Sequence, residues 1–218
     1  MNPEKIKMPI RLSVYLLGIC CICLGIVLCK KCNMGISPIS SIPFVLESVV
    51  PINFGVLTMF YHFLNTIIQI IISGKITVKL FLQFVLGAVF GQIINLFQLI
   101  LNFETDNIAV GIILLIGSVF FTALGMVLMI NMNLIQNPPD GLVHLIAEKT
   151  DKKLGNVKII YDICCVVISL TISFICLGKF SGFGAATIVS AFCVGRLVTF
   201  LSPHFTPILK KLESKNNV

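Results

Sequence analysis

The chain repeats itself at a spacing of 100 residues. Leu24-Gly25 recurs as Leu124-Gly125 and Val27-Leu28 as Val127-Leu128. Asn33, Pro38, Gly55 and Tyr61 recur as Asn133, Pro138, Gly155 and Tyr161. After a four-residue insertion, Gly74-Lys75 recurs as Gly178-Lys179 and Gly91 as Gly195. One shared glycine would carry no weight. A collinear series over the whole unit points to a duplicated element, and both copies are apolar throughout. Duplicated membrane bundles are the usual ground plan of secondary transporters.

Apolar residues make up 57% of the chain and charged residues 11%, with a mean hydropathy of +1.03. A soluble domain carries about 25% charged residues, so a water-facing surface cannot be built from this composition. A span needs ~20 apolar residues, and 218 residues leave room for six spans and little else. The expected fold is all-α: one transmembrane domain over 1–218, with spans near 9–29, 54–72, 78–101, 108–130, 156–177 and 182–201. The repeats cover 9–101 and 108–202, and a short tail covers 203–218. The first apolar stretch, 12–28, is too long for a signal peptide and has no small-residue cleavage site after it, so it is expected to remain as a helix.

Charge sets the expected orientation. Of the 16 Lys and Arg, twelve fall in the segments on the side of the N-terminus, from Lys5 to Lys215. Lys30, Lys31 and Lys179 fall on the other side, and Arg196 lies in a span. The positive-inside rule then places both termini in the cytoplasm. The same rule accounts for the net charge of +7 without nucleic acid. Three spans per repeat is an odd number, so the second copy starts from the opposite face and the two halves are expected to be inverted. That arrangement serves alternating access, with a site at the repeat interface.

Between the first two spans of each repeat lies a segment too short to cross. One reads Asn33 to Glu47 and contains Ser37-Pro38, Ser40 and Ser41. The other reads Asn133 to Glu148 and contains Asn137-Pro138 and Asp140. Ser37 and Asn137 are N-cap residues followed by Pro at the first helical position. Each segment is expected to form a short helix. A helix N-terminus offers unpaired N–H groups and partial positive charge, so at membrane depth it can hold a polar or anionic group. Asp140, His144 and Glu148 share one face. The alternative is a pair of amphipathic helices lying at the interface.

Four further residues stand out within the spans. Asp162 has His62 as its counterpart, and Arg196 has Gln92. Ionisable groups in spans face the interior or water and are candidates for solute or proton binding. Counted from the intervening turn, Asp162 and Arg196 come within ~3 Å in depth, which predicts a pair across an antiparallel hairpin. The alternatives are a structural ion pair or snorkelling at a helix end. The candidate binding set is therefore Ser37, Ser40, Ser41, His62, Gln92, Asn137, Asp140, His144, Asp162 and Arg196. Asn65, Gln69, Gln83, Asn95 and Gln98 are expected to join helices rather than bind ligand. Gly87, Ala88 and Gly91 form a face for close helix packing.

Other chemistries find no support in the residues. Seven of the nine cysteines lie in apolar stretches, where Cys behaves as a small hydrophobe. Cys29 and Cys32 form a lone CxxC with no further ligands nearby, so neither a metal nor a cofactor is expected. Asp140, His144 and Glu148 could ligate a metal, but the first repeat has Ser40, Phe44 and Ser48 there. The chain holds no HExxH and no GxSxG, and an enzyme is not expected.

The run Gly35-Ile36-Ser37-Pro38-Ile39-Ser40-Ser41-Ile42-Pro43, followed by Phe54-Gly55, resembles the first-half motif of the YczE/YyaS/YitT-type bacterial membrane proteins. The run from Pro138 to His144 is similar to their second-half motif, with Pro139 where that motif often has Trp. The resemblance spans essentially the whole chain and implies a multi-pass protein of the bacterial cytoplasmic membrane. It implies no substrate. The inverted duplication leads to the expected function, a secondary carrier for a small polar or anionic solute, surrounded by lipid and compatible with a homodimer. Two other functions remain open: a non-transporting scaffold or assisting factor, and a substrate-capture subunit of a larger transporter.

Overall fold

A computed structural model describes residues 7–214. Lys5 and Lys215, counted above for orientation, lie outside the described residues, as do 216–218 of the expected tail. The described chain is all helix, with no strand: α1 (Met8–Lys31), α2 (Ser41–Glu47, entered through a 3-10 turn at Pro38–Ser40), α3 (Phe54–Ser73), α4 (Val78–Ile100), α5 (Ile108–Met132), α6 (Pro138–Thr150), α7 (Leu154–Leu177) and α8 (Ala185–Ser214). Six of these are long and apolar enough to cross a membrane. The protein is a polytopic helical membrane bundle, and the two short helices fall where the sequence places them.

Helix ends follow local chemistry. Gly74 and Gly178 close α3 and α7 in the left-handed conformation, at φ 67° and 65°. That conformation costs glycine no Cβ clash. Asn133 caps α5 at φ 46°, and Asn33, just beyond α1, adopts φ 55°. Asn is among the few non-glycine residues that tolerate this region.

The last helix departs from expectation. It begins at Ala185 rather than 182 and runs on to Ser214, so the tail expected from 203 is helical as far as it is described. Pro203 and Pro207 each remove a backbone donor inside it. Tertiary packing carries the helix past them. Leu201 and Phe205 pack on Ala123 and Val127 of α5, and the Thr206 hydroxyl donates to Asn131 Oδ1 at 3.1 Å.

At the centre α1 and α5 cross antiparallel. A Cβ on Gly18 would meet the Gly125 carbonyl at 3.0 Å, and one on Gly125 would meet the Gly18 carbonyl at 2.4 Å. One turn-pair away, a Cβ on Gly25 would meet the Ser118 carbonyl at 2.8 Å. Backbones this close require glycine, and close approach replaces the hydrophobic drive that helices lack in lipid. The two contacts, 18 with 125 and 25 with 118, exchange when 100 is added to one partner and subtracted from the other. The Tyr61 and Tyr161 hydroxyls meet at 2.6 Å, so each lies opposite its own counterpart. Tyr161 donates to Asn65 at 2.7 Å and Tyr61 reaches Cys165 at 3.2 Å, again an exchanged pair.

Whole helices pack in the same way. α1 on α4 is matched by α5 on α8, α2 on α7 by α6 on α3, and α2 on α3 by α6 on α7. One pair breaks the pattern. α3 and α4 pack along their length, whereas α7 and α8 barely touch.

Candidate functional site

The parting of α7 from α8 opens a cleft of about 670 Å³ between the two halves. Its floor is α1 and α5, through Ile22, Ile26, Thr122 and Met126. α7 forms one wall and α8 the other, and the starts of both short-helix segments with the middle of α3 close the end. The lining is mainly apolar; Ser37 and Ser40 before α2 and Thr187, Ser190 and Arg196 on α8 add polar groups, and four more, Asn137, Asp140, Lys158 and Asp162, gather on the α6 and α7 side.

Those four groups form a connected chain. Asn137 Nδ2 donates to Asp140 Oδ2 at 3.2 Å. Lys158 Nζ lies 3.9 Å from Asp140 Oδ1 and 2.8 Å from Asp162 Oδ1. The same ammonium stands over the Tyr161 ring, 5.6 Å from its centroid. Two carboxylates thus share one lysine. Among the described residues two buried side-chain atoms remain without a partner, His62 Nδ1 and Asn137 Oδ1. The His62 ring packs edge-on to Phe90, and its side chain is almost wholly buried.

The candidate residues divide clearly. Ser37, Ser40, His62, Asn137, Asp140, Asp162 and Arg196 all line the cleft. The Ser37 and Ser40 hydroxyls lie 3.1 Å apart. Ser41 is turned away, its hydroxyl donating to the Pro38 carbonyl at 2.7 Å, with the Cys165 carbonyl at 3.2 Å. Gln92 is exposed on the outer face of α4 and does not line the cleft, because Gly87 and Gly91 form the face turned to α3. His144 is exposed on α6 and also stays outside, while Gly141 and Leu142 hold the inner face.

Two expectations require correction. Asp162 does not pair with Arg196. It binds Lys158, four residues earlier on the same helix, because α7 and α8 are too far apart for the hairpin pair. Nor do Ser37 and Asn137 cap their helices by side chain, although each precedes Pro at the first position. Ser37 is engaged with Ser40 and Asn137 with Asp140. Lys158, Tyr61 and Tyr161 also belong to the site. The 100-residue period pointed to the tyrosines, and the four-residue spacing to Asp162 pointed to Lys158.

The residues expected to join helices do so. Gln69 Nε2 donates to Gln83 at 2.8 Å and to the Pro138 carbonyl at 3.0 Å. Gln98 accepts from Lys30, and Asn95 accepts from the Gly55 N–H at 3.2 Å. Among the described residues no group of three His, Cys, Asp or Glu is placed to hold a metal ion.

A model described as "Family of unknown function (DUF6198)" matches residues 9–203. The chain belongs to this family. The match runs from the start of α1 into α8 and takes in both short helices, so the cleft lies wholly inside the family's extent. No curated protein and no solved structure matches the chain.

Proposed function

We propose that this protein is a secondary carrier of the bacterial cytoplasmic membrane, moving a small polar or charged solute by alternating access through the central cleft. The two halves act as inverted repeats, and the cleft between them is the solute site. The supporting observation is the one packing pair without its counterpart. Gly55 and Gly91 hold α3 against α4: a Cβ on Gly55 would meet the Gly91 carbonyl at 2.4 Å, and one on Gly91 the Gly55 carbonyl at 2.6 Å. Their counterparts are Gly155 and Gly195. Both are glycine, and neither has any atom within 4 Å of where a Cβ would stand. Only the closely packed pair makes use of the missing side chains.

A second conformation explains the second pair. In it α7 and α8 close through Gly155 and Gly195 while α3 and α4 part. With the N-terminus inside, the present form is open to the cytoplasm and the exchanged form to the outside. Such exchange needs two packings of nearly equal energy, and inverted repeats of like sequence supply them.

Disulfide trapping in membranes tests this reading. On a cysteine-free background, Gly155→Cys with Thr199→Cys occupies the positions that match Gly55 and Asn95. Oxidation is expected to join the pair whenever the second conformation forms. Absence of a cross-link under every oxidant and pH, with Gly55→Cys and Asn95→Cys joining readily as the control, would remove the carrier reading.

A further inference from the structure

We infer that the cleft takes an organic cation, a small molecule with an apolar body and a protonated amine held between Asp140 and Asp162. The inference rests on the reading of this cleft as the solute site.

The carboxylates and the Asn137 amide leave acceptor capacity unfilled on the α6 and α7 side. Asp140 and Asp162 share Lys158 alone, so one carboxylate in two has no cation of its own. Both carboxylates are only partly exposed, and a ligand cation would give the second one a partner of its own. Asn137 gives its N–H to Asp140, an assignment that follows because an ionised carboxylate only accepts. Its Oδ1 is therefore a further acceptor, buried and without a donor. His62, 2% exposed, lines the same cavity with Nδ1 unpartnered, and as a neutral imidazole it offers one acceptor nitrogen beside one donor. An ammonium brings three donors to these acceptors.

The rest of the lining selects the body of the ligand. Ile159, Ile163 and Val166 on α7 face Ile188 and Phe192 on α8, and a wholly polar cation would leave these surfaces wet. Arg196, the other cation of the cleft, is exposed on α8, and no carboxylate lies within salt-bridge distance of it among the described residues. It stands apart from the acceptor cluster and does not neutralise it.

Two probes with matched apolar bodies and opposite charge test the inference: phenylpropylamine and phenylbutyrate. Binding is measured by equilibrium dialysis on the purified protein in detergent, so no helix exchange or transport is required. Failure of the cross-linking above leaves this result intact. Phenylpropylamine is expected to bind, and Asp140→Asn and Asp162→Asn are each expected to weaken it by about tenfold, as loss of a charge-assisted hydrogen bond does. Lys158→Gln is expected to tighten it, because the competing ammonium is gone, and this variant decides the matter if the aspartate variants do not fold. Lys179→Gln, an exposed change outside the cleft, is expected to leave it unchanged. Tighter binding of phenylbutyrate would overturn the inference, as would weaker amine binding in Lys158→Gln. Equal binding of both probes, unaffected by any variant, would show apolar partition alone and overturn it too. Binding of neither at millimolar concentration has the same consequence.

Discussion

Four glycines at matched positions experience opposite surroundings. At Gly55 and Gly91 an added methyl group would collide with the facing backbone. Overpacking of this kind costs about 1–3 kcal/mol, so Gly91→Ala should lower the thermal midpoint. At Gly155 and Gly195 the space is open, and Ala is the better helix former by up to about 1 kcal/mol. Gly195→Ala should therefore leave the midpoint unchanged or raise it, and matched unfolding curves in detergent would show the contrast. Equal losses at all four positions would mean that α7 and α8 are already packed. The tyrosine pair gives a second expectation at this scale. Tyr161 donates to Asn65 and meets Tyr61, so Tyr161→Phe should cost about 1 kcal/mol. The double variant with Tyr61→Phe should cost less than the sum of the two singles, because one network is lost twice. Strict additivity would separate the two hydroxyls. Both tyrosines could be singled out from the 100-residue period alone. The separation of Asp162 from Arg196 could not, because depth along two helices says nothing of the distance between them.

At the scale of elements, apolar length was enough to locate the six long helices, and Pro38 and Pro138 marked the starts of the short segments. What length and caps did not reveal is what each short helix touches. α6 lays Gly141 against Gln69 and Gln83 of the first half, and α2 rests on α7 of the second. Single cysteines along α6 should accordingly divide by face. His144 is exposed and should label readily with a water-soluble maleimide, while Leu142 and Val143, both buried, should not. Uniform labelling would detach α6 from the bundle. The extension of α8 is another feature that local signals hide. Two prolines argue for a stop near 203, and packing on α5 outweighs them. Leu201 is 8% exposed against Ala123 and Val127. Leu201→Ala should thus destabilise by about 2–3 kcal/mol, within the usual range for a buried leucine, read as a fall in the detergent unfolding midpoint. A fall no larger than that of an exposed control, such as Phe200→Ala, would show that α8 is not anchored there.

For the whole molecule, the main helix packings among the described residues have exchanged partners, except α3 on α4. The duplicated series in the sequence anticipates that exchange of contacts, and a cleft lies between the two halves. The asymmetry was not legible, because the two glycine pairs read alike in the sequence and only coordinates show which pair is packed. The carrier account makes the broken pair the moving part: α3–α4 and α7–α8 open in turn, never together. The most direct test is a pair of distance distributions from spin labels in lipid. One pair is Ile159→Cys with Phe200→Cys, across α7 and α8, and the other is Met59→Cys with Leu96→Cys, its match across α3 and α4. The account expects two populations in each pair, the long distance in one rising as the long distance in the other falls when conditions shift the balance. A single fixed distance in both pairs under all conditions, or the two opening together, would contradict it.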